Sequence, residues 1–518
     1  MKTRDYVIEE YTKTVCPVCF EVRQRASNES DVFKDGMLVS RDGKIWLRRY
    51  CTAHGETESL YEEEAEIWHA RRGWSTPTLS ITPDRPDNYA AFPDGYRNGL
   101  PHSHGQHTCI LLLNVLEKCN FSCPTCYASA KPGDDPTADE LPTIQEILHT
   151  VRTVIAREGG KLGVLMISGG EPTIRKDLPD LLEELLALNI TRILLNTNGR
   201  RIAREDSLLT VLQRHREKIE VYLQFDGLTE QAHMSLRGEA LCEEKKLCVE
   251  RLNSAGVYFT LVMTVAKETN ESEVGDVLLY ALTFPKCAGL AIQPMFGSGR
   301  ATGFDPRNRT TPTGVLRRLA DQTHGKVTHD DFIPLPCSHR DCCDIGYLIQ
   351  TRSGEWSSLT KLIGRDELKN WMHLVANTIS FENASDAVRE MLKSGVLQRV
   401  FSEQQKISAP QMAMDLFKMC GCVPGVSDLI GGLWAKYATR PSALEKMADS
   451  TFRITVKMFM DHHTLHEARI RQCCVHTGTF EDDPRRYSFC WRWLFADASD
   501  FPTRELIRPN TISVATKR

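Results

Sequence analysis

Between Cys109 and Met295 the chain alternates short apolar runs with stretches of helical period, and few folds accept that pattern. The runs are CILLLNVL, KLGVLMIS, RILLNT, EVYLQF, YFTLVMTV and GLAIQPM. Between them lie PTIQEILHTVRTVIAREGG, DLPDLLEELLALN, SLLTVLQRHREK, CEEKKLCVERLNSAG and SEVGDVLLYALTF. In the first of these, Leu141, Ile144, Ile147, Leu148, Val151 and Ile155 share one helical face. Thr143 and Glu146 have the spacing of a capping box, and Gly159-Gly160 stops the helix. Strands that are apolar at nearly every position are buried on both faces, which calls for helical crossovers and a parallel sheet. The expected core is α/β, six βα units that curl into a barrel or part of one. Chemistry in such folds gathers at the C-terminal strand ends.

Polar residues fall at those ends. CILLLNVL leads into Cys119, Cys123 and Cys126, KLGVLMIS into Gly169-Gly170-Glu171-Pro172, RILLNT into Asn198-Gly199, and EVYLQF, with Gln224, into Asp226-Gly227. Three clustered thiolates are one short of the four that zinc or a fully protein-ligated cluster takes. Either a fourth ligand comes from elsewhere or one coordination position stays open. A Gly-Gly-Glu by itself is most often just a turn. Here the glycines allow close backbone approach beside a three-cysteine loop.

The chain has 518 residues, enough for more than one domain, and 18 cysteines with no apolar export segment at Met1–Lys13. That combination favours metal binding over disulfides. Cys16-x2-Cys19 and Cys51-x2-His54 flank a hairpin, GMLVS-RDG-KIWLRRY, and form a tetrahedral-site signature for zinc or a rubredoxin-like iron. A further set, Cys337, Cys342 and Cys343 with Cys473, Cys474 and Cys490, has no simple zinc spacing. It reads either as separate buried thiols or as one auxiliary iron–sulfur site built from two distant pieces. Cys242, Cys248 and Cys287 read as buried structural thiols. The net charge of -4 without a basic block argues against nucleic acid. No apolar run reaches the roughly 18 residues of a membrane span.

C-x3-C-x2-C after the first strand, GGEP after the second and six βα units resemble the radical S-adenosylmethionine (SAM) superfamily. The resemblance implies that Cys119, Cys123 and Cys126 hold three irons of a 4Fe–4S cluster whose fourth iron takes the amino and carboxylate groups of SAM. Reductive cleavage of SAM then yields a 5′-deoxyadenosyl radical that abstracts hydrogen from substrate. It further implies that Gly169, Gly170, Glu171 and Pro172 form the SAM ammonium site, and that Asn198, Gln224 and Asp226 contact ribose or substrate. No side chain is assigned as a catalytic acid or base. Thr125 stands where the family often has an aromatic residue, leaving Phe121 or Tyr127 to pack near adenine.

CPVC…CTAHG, QHTC, KCNFSCPTCYA, GGEP, YLQFDG, IQPMFGSGR, PLPCSHRDCC and QCCVH together resemble the tetraether-synthase-like group of that superfamily. The group includes lipid-coupling enzymes and proteins linked to methylation of a pterin precursor. This chain departs from it at DGYRNGLPHSHG, where Asn98 and Pro101 replace expected cysteines and leave Cys109 alone. The expected organisation is a metal-binding knuckle at 1–80, a radical SAM core at 105–310, and a mostly helical region at 311–518 with an auxiliary cluster. The implied protein is a cytoplasmic iron–sulfur enzyme that takes electrons from a ferredoxin or flavodoxin. Its leading expected outcome is carbon–carbon bond formation on a lipid-like substrate. The alternatives are methylation of a pterin-like heterocycle, modification of a peptide, or a noncatalytic metal-stabilised interaction protein.

Overall fold

The structure is a computed structural model and describes residues 5–23, 32–74, 78–137, 141–350, 354–365 and 449–495. The N-terminal part is an antiparallel sheet in the order β1-β2-β3-β4, from Val7–Val15, Phe33–Arg41, Lys44–Cys51 and Gly55–Glu62. The RDG hairpin falls where the sequence puts it, pairing Arg41 with Lys44.

The core follows the alternation. Strands β5 (Ile110–Asn114), β8 (Leu162–Ser168), β9 (Ile190–Thr197), β10 (Ile219–Gln224), β11 (Phe259–Val265) and β12 (Cys287–Pro294) lie side by side in sequence order, all parallel. The intervening β6 (Lys118–Cys119) and β7 (Lys131–Pro132) are two-residue strands that pair with each other and close the cysteine loop at its base. Register places Asn114 beside Ser168, Ile167 beside Leu195 and Thr197 beside Leu223, so the strand ends are level and their loops emerge on one edge.

Alternate residues serve two cores. Leu111, Leu113, Leu165, Ile167, Ile193 and Leu195 meet the helices on the outer face. Ile110, Leu112, Val164, Met166, Leu194 and Tyr222 face inward, toward Met460, Phe489 and Trp491 from the C-terminal part. The helix Ile144–Arg157 has the full capping box: Glu146 N–H reaches Thr143 Oγ1 at 3.2 Å, and Thr143 N–H reaches Glu146 Oε2 at 2.7 Å. It buries Ile147, Leu148, Val151 and Val154, each contributing about 1.5–3 kcal/mol. Gly159 and Gly160, at φ +76° and +94°, end it.

Past residue 311 the described chain departs from the mostly helical expectation. β14 (Cys343–Gln350), between the short β13 (Ile333–Pro334) and β15 (Trp356–Ser358), pairs with β16 (Thr451–Lys457), which extends the parallel sheet beyond β12. On the other edge β17 (Val475–Gly478) pairs in parallel with β5 and carries β18 (Arg486–Ser488). The β-branched and aromatic run FRITVKMFM gives β16 its strand preference. Residues 366–448, which hold most of the expected helix, lie outside the described residues. No helix among the described residues is long and apolar enough to cross a membrane.

Candidate active site

Cys119, Cys123 and Cys126 line a cavity of about 130 Å3 at the level strand ends, together with Gly169, Gly170, Glu171, Asn198 and Gln224. Their sulfurs do not gather within 4.8 Å of one another as a single-ion site would require, which argues against the zinc-loop reading and suits a larger group. Burial pushes Cys119 up to about 12, and the charge of Glu171 adds to that. A thiolate here therefore needs the positive charge of bound iron. Phe121 and Tyr127 both line the cavity. The Phe121 ring carries the Arg200 guanidinium 4.1 Å from its centroid.

The glycine pair has a structural reason beyond ligand access. A Cβ on Gly169 would lie 2.2 Å from Leu116 O, and one on Gly170 would lie 2.1 Å from Lys118 O. Gly169 also sits at φ +136°. The segment is pressed against the base of the cysteine loop, and Gly170 N–H and Glu171 N–H donate to Leu116 O and Lys118 O at 2.8 and 2.9 Å. Gly170→Ala is expected to displace Lys118–Cys119. The expected readout is loss of most cluster iron and of SAM cleavage, while Gly159→Ala, whose Cβ meets nothing within 4 Å, is expected to keep both.

Glu171 is buried and its carboxylate is fully engaged. Oε1 accepts from Thr173 N–H at 3.1 Å and from the hydroxyls of Thr173 and Thr197 at 2.6 Å each, and Oε2 accepts from Asn198 N–H at 2.7 Å. It ties the ends of β8 and β9 together, with Pro172 opening the short turn Pro172–Ile174. Asn198 Nδ2 donates to Asn120 Oδ1 at 2.7 Å.

Asp226 does not face the cavity. It is fully buried, and its two oxygens accept from Arg237 Nε and Nη2 at 2.6 and 2.7 Å. Arg237 is the residue that lines the cavity, beside Cys123. Nothing in the sequence pattern marks Arg237, which ends the helix Glu230–Arg237 after β10. Arg300, in GSGR, is likewise unmarked by any ligand signature in the sequence. Its Nε and Nη1 donate to Cys123 O and Ala130 O, both at 2.8 Å, and its N–H to Cys126 O at 2.9 Å. It braces the cysteine loop from the far side.

Residues 113–281 match the family model of the Radical SAM superfamily. That stretch is a radical SAM domain. Residues 8–63 match the HMPTM N-terminal zinc ribbon domain. A Methanocaldococcus jannaschii protein named 7,8-dihydro-6-hydroxymethylpterin dimethyltransferase is 24% identical over 507 residues, 93% of each chain. A GTP 3′,8-cyclase of Xanthomonas campestris is 34% identical over 118 residues, 22% of this chain and 33% of that one. Among solved structures, Streptococcus suis SuiB bound to precursor peptide SuiA is similar at a TM-score of 0.36 and 16% identity, over 43% of this chain and 47% of that one.

The ribbon brings Cys16, Cys19, Cys51 and His54 to one point. The three sulfurs lie 3.6, 3.3 and 3.6 Å from His54 Nδ1, and Cys19 Sγ lies 3.7 Å from Cys51 Sγ. Tetrahedral zinc with bonds of about 2.0–2.3 Å needs separations of that size.

The third cysteine group assembles differently from the expectation. Cys109 is not alone: its sulfur meets those of Cys337 and Cys474 within 4.8 Å, with Cys474 Sγ and Cys337 Sγ 3.7 Å apart. The cause is sheet topology. β17 pairs with β5, so Cys474 sits beside Cys109, whose N–H donates to Cys474 O at 2.9 Å. Cys473, Cys490, Cys342 and Cys343 are outside this trio. Cys473 Sγ donates to Val475 O at 3.1 Å and Cys343 Sγ to Asp344 O at 3.5 Å. Cys490 Sγ accepts from Met460 N–H at 3.2 Å, and Cys342 Sγ from Arg469 Nε at 3.4 Å. All four, with Cys109 and Cys474, line one cavity of about 90 Å3 on the inner face.

Proposed function

We propose that the chain is a radical SAM enzyme that activates an unreactive carbon of a small heterocycle of the pterin type, for methylation. The observation that carries the substrate class is the likeness to the pterin dimethyltransferase across 93% of both chains. A 4Fe–4S cluster bound here would supply the electron that cleaves a C–S bond of SAM. Cys119, Cys123 and Cys126 would hold that cluster. Gly169, Gly170 and the Glu171 turn keep the loop in place, Asn198 and Gln224, which line the cavity, would contact SAM, and Arg237 and Arg300 fix the loop around Cys123. The N-terminal site would hold a structural zinc ion. Cys109, Cys337 and Cys474 would hold an auxiliary iron–sulfur centre. As they stand they are close enough for one ion, and seating a cluster would require them to part.

A second reading, coupling on a lipid-like substrate, has its own support. Tyr127, Phe296, Phe459, Phe489 and Trp493 form a continuous aromatic wall next to the SAM cavity. The cytoplasm fits both readings, since every described cysteine is free and such thiols persist in a reducing compartment, where a ferredoxin or flavodoxin is the electron donor.

Anaerobically reconstituted protein, given dithionite and SAM with a deuterated methyl group, is expected to release 5′-deoxyadenosine and to place label on 6-hydroxymethyl-dihydropterin. Label-free pterin together with consumption of an alkyl lipid would replace the first reading with the second. Absence of 5′-deoxyadenosine under every condition would overturn both.

A further inference from the structure

Where the ribbon meets the C-terminal part of the chain, three side chains from distant segments converge away from every site described above. Glu10 lies on β1, His339 between β13 and β14, and His466 just before the helix Glu467–Arg471. One ligand-capable atom of each lies within 4.8 Å of the others. His466 is 1% exposed and His339 6%.

A second observation points to a ligand. Neither ring nitrogen of His466 has a hydrogen-bond partner, although Glu10 Oε1 stands 3.4 Å from Nε2. Buried polar groups are nearly always satisfied, and a buried imidazole with Nδ1 unpartnered and Nε2 facing only a carboxylate at 3.4 Å calls for an explanation. The surroundings are already oriented. Glu10 Oε2 accepts from Arg340 Nη2 at 2.7 Å, which leaves Oε1 to His466. His339 Nδ1 accepts a long 3.2 Å contact from Asp341 N–H, so that nitrogen carries a lone pair and no proton. Asp341 Oδ2 accepts from the Tyr61 hydroxyl at 3.1 Å, and its Oδ1 is buried without a partner.

We propose that Glu10, His339 and His466 bind a divalent transition-metal ion of the class of Zn2+, which clamps the ribbon to the C-terminal part of the chain. Two imidazoles and a carboxylate form a borderline donor set that suits such ions and not calcium or magnesium, which take oxygen ligands. Bonds of about 2.0–2.1 Å put tetrahedral donors about 3.3 Å apart. Glu10 and His466 already stand at that spacing, and the rest of the trio closes by about 1.5 Å at most. The Arg340 contact on Glu10 is the kind of outer partner that holds a metal ligand in orientation. The alternative is a plain ion pair between protonated His466 and Glu10.

The test counts zinc in the full-length protein after loading with Zn2+ and passage over a chelating resin. His466→Ala and Glu10→Gln are each expected to hold one equivalent less than the parent. Cys51→Ser is expected to lose a different equivalent, so that a Cys51→Ser/His466→Ala protein loses two. Zinc taken up by the other cysteine groups is common to all variants and cancels in the difference. Equal zinc in the parent and in both His466→Ala and Glu10→Gln would overturn the site and leave the ion pair. If His466→Ala fails to fold by circular dichroism, zinc X-ray absorption on the Cys51→Ser protein decides. A nitrogen and oxygen shell with imidazole scattering supports the proposal, and a sulfur shell alone overturns it.

Discussion

Replacing Cys119, Cys123 and Cys126 together by alanine is expected to reduce 5′-deoxyadenosine release to the level of buffer and to lower the iron content by about four atoms per chain. The effect is total because the three thiolates act as a unit. Each lines the same cavity, and removing the anchors removes the electron path to SAM, not merely an affinity for it. The fold survives the change. The loop is pinned independently by Gly170 N–H on Leu116 O, Glu171 N–H on Lys118 O and Arg300 on Cys123 O and Ala130 O, all backbone acceptors that alanine retains. Cys242→Ala is the matched control, since that buried thiol donates to Leu228 O at 3.1 Å, does not line the cavity, and its loss should leave both readouts unchanged. SAM cleavage persisting in the triple variant would place the cluster elsewhere.

The legible part of this molecule is what local pattern controls. The 3.6-residue period between Leu141 and Ile155, the Thr143 and Glu146 cap and the apolar runs specified the parallel core. C-x2-C with C-x2-H specified the ribbon, because a hairpin fixes which residues meet. What stayed hidden depends on pairing between distant segments. Cys109 looked isolated because its neighbours, Cys337 and Cys474, arrive through strands far along the chain. Nothing in the spacing of Cys473, Cys474 and Cys490 says which of them turns inward. The strand β17 decides that, and only Cys474 turns toward Cys109. Polar identity also misled at Asp226: a carboxylate after a strand end reads as a ligand contact, yet it serves the neighbouring arginine.

Asp226→Ala is therefore expected to act first on stability, by about 3–5 kcal/mol, the cost of stranding a buried cation. Arg237 would keep Thr264 Oγ1, at 3.0 Å, and the neighbouring Cys123 sulfur, for a guanidinium that now has two bonds to Asp226. Burial alone would raise the Asp226 carboxyl, but the adjacent Arg237 charge holds it below the ordinary range. A carboxyl depressed in the folded state stabilises the fold above its unfolded value of about 3.9 and loses that contribution as the pH falls below it. The stability gap between the parent and Asp226→Asn should therefore be full at neutral pH and shrink on acidification below about 4. Denaturant unfolding at a series of pH values measures it. A gap that stays constant with pH would mean that the pair is not ionic in the folded protein. The double variant Asp226→Leu/Arg237→Met separates folding from chemistry. An apolar pair of similar volume is expected to restore most of the stability. It leaves Cys123 without its arginine neighbour, so SAM cleavage should remain impaired in a protein that folds. Full activity in that variant would reduce Arg237 to a structural partner of Asp226.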